Sequence, residues 1–276
     1  MNPHAPAPVS LWSLAASLRR NRDLILQLAR REVVGRYKGS VMGLFWSLLN
    51  PVLLLTLYTF FFSVVLRARW GGGGTADKGE FAVLVFVGMI VHGLFSECLL
   101  RAPTLVVGNV PYVKKIVFPL EVLPVVTLGA SLFHAAVSLG VLALAQLLVF
   151  NRLPWTWVFA PLVLAPLLVM ALGVAWALAS LGVFFRDIAQ PIGFLATVLL
   201  FASPVFYPIS SLPQVLQPWL MLNPLTFIIE QARAALVEGR LPDFGGLALY
   251  TLVALACAWA GYAWFQKTRK GFANVL

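Results

Sequence analysis

The chain has 276 residues, of which 61% are hydrophobic and only 11% are charged. A water-soluble domain of this length cannot bury so much apolar surface, so the composition excludes a soluble globular protein and indicates several membrane spans of about 20 residues each. The net charge of +10 is typical of cytoplasmic loops that follow the positive-inside rule, and we prefer this explanation to nucleic-acid binding. Cys98 and Cys257 lie in apolar runs without a partner at metal-ligand spacing, which predicts small hydrophobic residues.

Residues 1–21 are predicted to form a disordered or variable amino-terminal segment, and residues 22–276 a membrane domain. The first ten residues are rich in Pro and Ala, and no basic stretch precedes an apolar core, so a cleaved signal peptide is not expected. A helix is predicted from Arg22 to about Val34, with Asn21 as its amino-terminal cap. Its partly amphipathic pattern suits a helix at the membrane surface, with basic side chains reaching toward lipid headgroups.

The fold class predicted from the apolar runs that follow is an all-α membrane protein with six transmembrane helices. Their approximate bounds are residues 42–66, 81–100, 121–150, 155–185, 188–207 and 244–266. The charge-free run 188–229 would form a straight helix of about 63 Å, roughly twice the thickness of the hydrocarbon core, and its prolines exclude such a helix. Residues 210–223 and 224–238 are therefore predicted to form two short helices on the outer side, either re-entrant or interfacial.

The distribution of Lys and Arg orients these spans. With six spans, 14 of the 20 Lys and Arg residues lie on the inner side and 6 on the outer side, Arg233 among the latter. The positive-inside rule then places both termini in the cytoplasm. Seven spans would move the basic tail, residues 267–270, to the outside.

Motifs for catalysis and for cofactor binding are not found in the sequence. The nearest approach to a phosphate-binding loop, residues 38–40, lacks the first glycine and has the wrong order, so this chain is not expected to hydrolyse ATP or to hold a cofactor or metal of its own. His92 and His134 are far apart in the sequence and are predicted to be hydrogen-bonded interior residues. No serine or cysteine lies in a recognisable nucleophile elbow.

Six segments in order resemble the ABC-2 type permeases. The segments are REVVGRYKGS (31–40), GLFWSLLNP (43–51), VKKIVFP (113–119), FFRD (184–187), SPVFYP (203–208) and NP (223–224). Within that family they are similar to the polysaccharide exporters, namely the Wzm-like O-antigen permeases and their teichoic-acid relatives. The resemblance covers the chain from about Arg22 to its end, and several separate motifs in the right order make it specific.

The resemblance implies a homodimeric permease of the bacterial inner membrane. Each copy would bind a separate ATPase subunit that carries ATP and Mg²⁺, and the dimer would export a lipid-linked polysaccharide such as an O-antigen. The amino-terminal helix would be an interface helix, the loop 101–120 a coupling element, and the two short helices an extracellular gate. Two alternatives remain open: an ABC-2 exporter of a drug or small lipid, and a membrane-embedded glycosyl or acyl transferase.

Three groups of candidate residues follow from this reading. The channel and gate group consists of Tyr58, Phe201, Phe206, Tyr207 and Trp219, whose flat rings suit the C–H faces of sugar rings. The group for the interface helix or a lipid carrier consists of Arg30, Arg31, Arg36, Tyr37 and Lys38. The ATPase-coupling group consists of Asn109, Pro111, Tyr112, Lys114 and Lys115. Each group also has a plainer explanation: an interfacial aromatic belt, surface anchoring, and positive-inside charge, respectively.

Overall fold

A computed structural model describes residues 10–61, 78–113 and 118–276, and the chain forms helices without any strand in these ranges. The helices are α1 (Leu11–Arg20), α2 (Arg22–Tyr37), α3 (Phe45–Tyr58), α4 (Lys78–Arg101), α5 (Val110–Val113), α6 (Val122–Phe150), α7 (Ala160–Phe184), α8 (Ala189–Ala202), α9 (Gln217–Met221), α10 (Pro224–Arg233) and α11 (Phe244–Val275). The prediction of an all-α protein is therefore confirmed for the described residues.

Four helical segments are long and apolar enough to cross a membrane: Glu80–Thr104, Val122–Leu148, Trp155–Phe184 and Phe244–Val275. The shorter apolar segment Phe45–Phe61 corresponds to the first predicted span, whose last residues, 62–66, lie outside the described ranges. Helix α8, at 14 residues, spans about 21 Å, less than the hydrocarbon core of about 30 Å. The chain is thus a multi-pass membrane protein, with four spans evident by length and composition alone.

The amino-terminal helices differ in detail from the prediction. Helix α2 continues through Gly35 to Tyr37, and the chain turns only at Gly39, which has a φ of 88°. Asn21 occupies the capping position, but its amide donates to the carbonyl of Ser17, 2.9 Å away, instead of capping α2. The separation of residues 1–21 from the membrane domain stays a prediction, although α1 within that segment is helical and buries Leu14.

Helices α7 and α11 form the most extensive helix pair of the structure, and two glycines explain their close approach. A Cβ added at Gly261 would overlap the carbonyl of Gly173, and one added at Gly173 would lie 2.6 Å from the carbonyl oxygen of Cys257. The two backbones therefore touch, a packing that small residues permit inside membranes. Around this crossing, Trp176 and Tyr262 are buried with their rings 5.4 Å apart.

The run 188–229 is interrupted, as its prolines require. The predicted short helix 210–223 is reduced to the five residues of α9. The predicted helix 224–238 is found as α10, extended by the wider turn Ala234–Glu238. The hydroxyl of Thr156 and the amide of Gln146 donate to carbonyls of that turn, at 2.5 and 2.8 Å. These bonds satisfy acceptors that would otherwise be unpaired at the buried end of α10.

Candidate functional site

Helices α2, α4 and α6 bring together five ionisable side chains. We call Glu32, Arg36, Glu97, Arg101 and His134 the inner ion cluster. Arg36 donates to Glu97, and Arg101 donates to Glu32. His134 Nδ1 lies 3.4 Å from Glu97 Oε2 and 3.1 Å from Arg36 Nη1. Because ionisable side chains within membrane spans are costly and are retained mainly where they act, this cluster is a candidate functional site.

The group predicted for the interface helix or a lipid carrier is divided by the structure. Arg36 belongs to the inner ion cluster, and the Tyr37 hydroxyl lies 3.2 Å from His134 Nε2. Arg30 and Lys38 are exposed. The end of α2 is thus fastened to α4 and α6, while other basic residues of the helix remain accessible to a charged surface.

The predicted coupling loop contacts the middle of α2. The ring of Tyr112 stacks on that of Phe118, with centroids 4.3 Å apart, and the Tyr112 hydroxyl accepts a 3.0 Å hydrogen bond from Arg31. Near the start of the loop, a Cβ added at Gly182 of α7 would overlap the carbonyl of Pro103. The loop is therefore fixed to α7 at one end and linked to α2 at the other.

The remaining coupling candidates are less informative. The amide of Asn109 donates to the carbonyl of Leu105 at 2.8 Å, which stabilises the loop locally. Pro111 is exposed. Lys114 and Lys115 lie outside the described residues.

Glu121, at the start of α6, links both ends of the chain. Its carboxylate accepts hydrogen bonds from Ser17 Oγ of α1, at 2.9 Å, and from Arg269 of α11, at 2.8 Å. Its backbone carbonyl accepts from the indole of Trp176 in α7, at 3.0 Å. Because the carboxylate is buried and paired with a guanidinium, the ion pair is a structural link rather than a free acid.

Two of the sequence motifs meet at the end of α8. The Asn223 side-chain oxygen accepts from the N–H of Leu225 and so caps α10, while its amide nitrogen donates to Ser203 Oγ at 2.9 Å. One asparagine thus joins the NP motif to the SPVFYP motif. We call residues 203–238 the outer hairpin.

Arg233 anchors the outer hairpin from within. Its side chain is fully buried and donates to the carbonyls of Leu84 in α4, at 3.1 Å, and Val205, at 2.8 Å. It also pairs with Glu230, one turn earlier, at 3.0 Å. Burial lowers the pKa of Arg233 to about 10, against the opposing effect of Glu230, so the guanidinium stays charged at neutral pH.

The aromatic channel candidates are only partly brought together. The ring centroids of Phe201 and Phe206 lie 6.0 Å apart at the end of α8. The Tyr207 hydroxyl donates to the Phe201 carbonyl at 2.9 Å. Tyr58 lies at the end of α3 and packs against the main core, whereas Trp219 of α9 is 68% exposed. Three of the five therefore share one location, and their role stays a prediction.

Sequence reasoning missed the most connected side chains. Glu97 was not among the candidate residues, and Arg233 was predicted only as an outer-side charge. A spacing of three residues between Glu230 and Arg233 was the one signal in the sequence for their pair. For His92, the predicted interior hydrogen bond is confirmed: it is buried, and Nε2 lies 3.1 Å from the Ala196 carbonyl.

Comparisons with known proteins agree with this architecture. The chain is 29% identical over 265 residues to the O-antigen export system permease protein RfbA of Myxococcus xanthus, covering 95% of this chain and 99% of that protein. It is 23% identical to RfbA of Klebsiella pneumoniae, over 92% of this chain and 95% of that one. It is also 23% identical to the polysialic acid transport protein KpsM of Escherichia coli, over 84% and 89%.

A family profile described as ABC-2 type transporter matches residues 23–237. This match includes α2, the inner ion cluster, the coupling loop and nearly all of the outer hairpin. The chain therefore belongs to the ABC-2 type transporter family.

Proposed function

We propose that this chain is the membrane subunit of an ATP-driven exporter that moves a lipid-linked polysaccharide, such as an O-antigen, outward across the bacterial inner membrane. The observation that carries the proposal is the near full-length similarity to permeases named for O-antigen export and polysialic acid transport. The acidic side chains favour transport over a transferase, because Glu97, Glu121 and Glu230 are each paired with an arginine instead of being held free for acid–base chemistry.

Six crossings with both termini in the cytoplasm form the topology that we propose. Contacts divide the helix ends into two groups. The first group contains the carboxyl-terminal ends of α2, α4, α7 and α11 and the start of α6. Arg101 of α4 contacts Glu32 of α2, and Pro103, just after α4, contacts Gly182 of α7. Glu121, at the start of α6, contacts Arg269 of α11. We assign this group to the cytoplasmic side, where the basic excess lies.

The second group lies at the opposite ends of the same helices. The buried Arg233 contacts Leu84 near the start of α4, and Phe159 contacts Phe244 where α7 and α11 begin, with ring centroids 5.6 Å apart. The chain passes from the first group to the second between α2 and α4, and again between α7 and α10. These two passages support crossings by α3 and by α8, which would add two spans to the four long ones.

A homodimer with two ATPase subunits completes the proposed assembly. Along α3, large apolar side chains are exposed in the single chain, Leu53, Leu57 and Phe60 among them, and a second copy or lipid would cover them. No ATP-binding motif is found in this sequence, so ATP and Mg²⁺ belong to the ATPase subunits and this chain holds no cofactor. The coupling loop and α2 would transmit the ATPase motion, and the outer hairpin with its aromatic residues would gate the exit.

An export assay in inverted membrane vesicles tests the proposal. Vesicles that contain this chain, its ATPase and a lipid-linked glycan are given ATP, and glycan that becomes resistant to an added glycosidase is counted as translocated. We expect resistance to grow only with ATP and with an ATPase able to hydrolyse it. Translocation that persists without the ATPase, or that is confined to small lipids, would refute the polysaccharide-exporter assignment.

A variant pair tests the coupling loop in the same assay. Tyr112→Phe keeps the stack on Phe118 but removes the hydroxyl that Arg31 contacts, whereas Tyr112→Ala removes both. Since an aromatic pair contributes about 1 kcal/mol, we expect export to fall further in Tyr112→Ala, while ATP hydrolysis continues. Equal export by both variants and the parent chain would contradict a coupling role.

A further inference from the structure

A cavity of about 270 Å³ lies where α3, α4 and α6 meet the end of α2. Its polar side includes Arg36, Tyr37, Glu97 and His134, together with Asn50 of α3. Four of these side chains contact one another through the inner ion cluster and Tyr37. The cavity is therefore built against an ordered group of polar side chains.

Asn50 presents hydrogen-bonding groups that the described part of the chain leaves unused. Its side-chain amide has no hydrogen-bond partner among the residues that the structure describes. One residue later, the buried Pro51 lacks the N–H that would bond to the carbonyl of Ser47, which also lines the cavity. Asn50 is exposed in the single chain, so these groups are open to a ligand that both donates and accepts hydrogen bonds.

The charges around the cavity select against an anion. Arg36 and Arg101 are matched by Glu97 and Glu32, so the two arginines bring no excess positive charge to the cavity. Both arginines already donate to carboxylates. A phosphate would compete with Glu97 for Arg36 and leave that carboxylate unpaired, which is costly in a buried site. A neutral polar ligand avoids this cost.

The rest of the lining is largely apolar and includes Leu54, Phe86 and Met89, which lie further along α3 and α4 from the inner ion cluster. A ring with polar edges and an apolar C–H face matches a lining that is part polar and part apolar, and Phe86 offers an aromatic surface for such a face. The volume lies just below the range of about 300 to 1,000 Å³ typical of small-molecule pockets. It therefore suits one ring and excludes a folded length of polymer.

We propose that this cavity binds a single neutral sugar ring, with Asn50 as the residue that recognises its hydroxyl groups. The inference rests on the proposed function, because a polysaccharide exporter meets such rings as parts of its substrate. It goes further in placing a sugar site inside one copy of the chain, between α3, α4 and α6, apart from the outer hairpin. The inner ion cluster acts as the rigid wall of this site.

A protection experiment on the purified permease tests the proposal. In a chain with Cys98→Ala and Cys257→Ala, Ser138→Cys places a thiol on the cavity wall, and its modification by N-ethylmaleimide is timed in lipid nanodiscs. Hexyl β-D-glucoside is the probe, with hexanol as the apolar control and hexyl phosphate as the anionic control. We expect the glucoside to slow modification about tenfold at saturation, as for a well-populated bound state, and the two controls to have little effect.

Two variants on α3 separate recognition from stability. Asn50→Leu removes the amide, and since the two hydrogen bonds that it would make to the sugar contribute about 1 kcal/mol each, the half-protecting glucoside concentration should rise about 30-fold. Thr56→Leu is the matched control, because within the part of the chain that the structure describes its hydroxyl donates only to the Val52 carbonyl on the same helix, and it should leave protection unchanged. The proposal would be overturned if the glucoside did not protect, if hexanol protected equally well, or if hexyl phosphate protected better. It would also be overturned if Asn50→Leu left the half-protecting glucoside concentration unchanged.

The protection experiment needs neither ATP nor an ATPase subunit. Sugar protection without glycan export would leave the site standing and refute the exporter assignment alone. Glycan export without sugar protection would leave the exporter assignment standing and refute the sugar site alone.

Discussion

Replacing Arg233 by methionine is expected to release the outer hairpin from α4. The guanidinium is fully buried and donates to the carbonyls of Leu84 and Val205. Methionine fills similar volume but cannot donate, so two carbonyls lose a charged partner at about 1.5 to 3 kcal/mol each. Glu230 is 38% exposed at its side chain and can be hydrated, so its loss of a partner adds little. We therefore expect local opening to become easier by about 3 kcal/mol, or more than 100-fold.

Thiol labelling measures this opening. Val205→Cys, in the chain without its two native cysteines, places a buried thiol beside the lost hydrogen bond. While reclosing is faster than labelling, the labelling rate follows the open population and should rise by the same factor. Arg240→Met is the matched control, because Arg240 is 72% exposed and, among the described residues, forms an ion pair only with Glu238, a surface pair worth under about 1 kcal/mol.

The outcome that would refute this reasoning is a labelling rate in Arg233→Met no higher than in Arg240→Met. The hydrogen bonds of the buried Arg233 side chain would then not be what holds the outer hairpin against α4. Because the pKa of Arg233 is about 10, the guanidinium remains charged in the parent chain between pH 6.5 and 8.5. The labelling rate in the parent chain, corrected for the thiolate fraction, should therefore not change across that range.

Two further substitutions test the contacts that hold the bundle together. Gly261→Ala places a methyl group against the carbonyl of Gly173, so we expect the free energy of unfolding to fall by about 3 kcal/mol. The melting temperature in detergent should fall accordingly. Gly140→Ala is the control, because its methyl group meets nothing within 4 Å and should not destabilise the protein. Glu121→Gln removes the ion pair with Arg269, so trypsin should cleave the basic tail faster, and an unchanged cleavage rate would contradict the link between α6 and α11.

The positions of the long helices could be predicted from the sequence because the bilayer fixes their length. The predicted span 155–185 corresponds to the observed segment Trp155–Phe184, and the predicted span 121–150 to α6. The break after α8 also followed from local rules, since prolines cannot continue a helix. The end of α2 did not, because Gly35 weakens a helix without ending it and the contacts of Arg36 hold the last turn.

The candidate sites depend on contacts between distant residues, which local patterns do not encode. Arg36, Glu97 and His134 come from three helices: Arg36 is one of several basic residues of α2, whereas Glu97 and His134 each look like an isolated polar residue in an apolar run. Their pairing arises only once α2 packs against α4 and α6. The aromatic candidates were easy to choose from the sequence but hard to place. Trp219 and Phe201 have suitable chemistry, but the sequence alone does not distinguish a channel wall from a lipid-facing surface.

The touching backbones of α7 and α11 limit how this protein can move. At Gly173 and Gly261 no side chain separates the two backbones, so sliding would drive one backbone against the other. The loop beginning at Pro103 presses on Gly182 of the same pair. A push delivered to that loop would therefore move α7 and α11 together, and bending would be left to the two 14-residue helices α3 and α8.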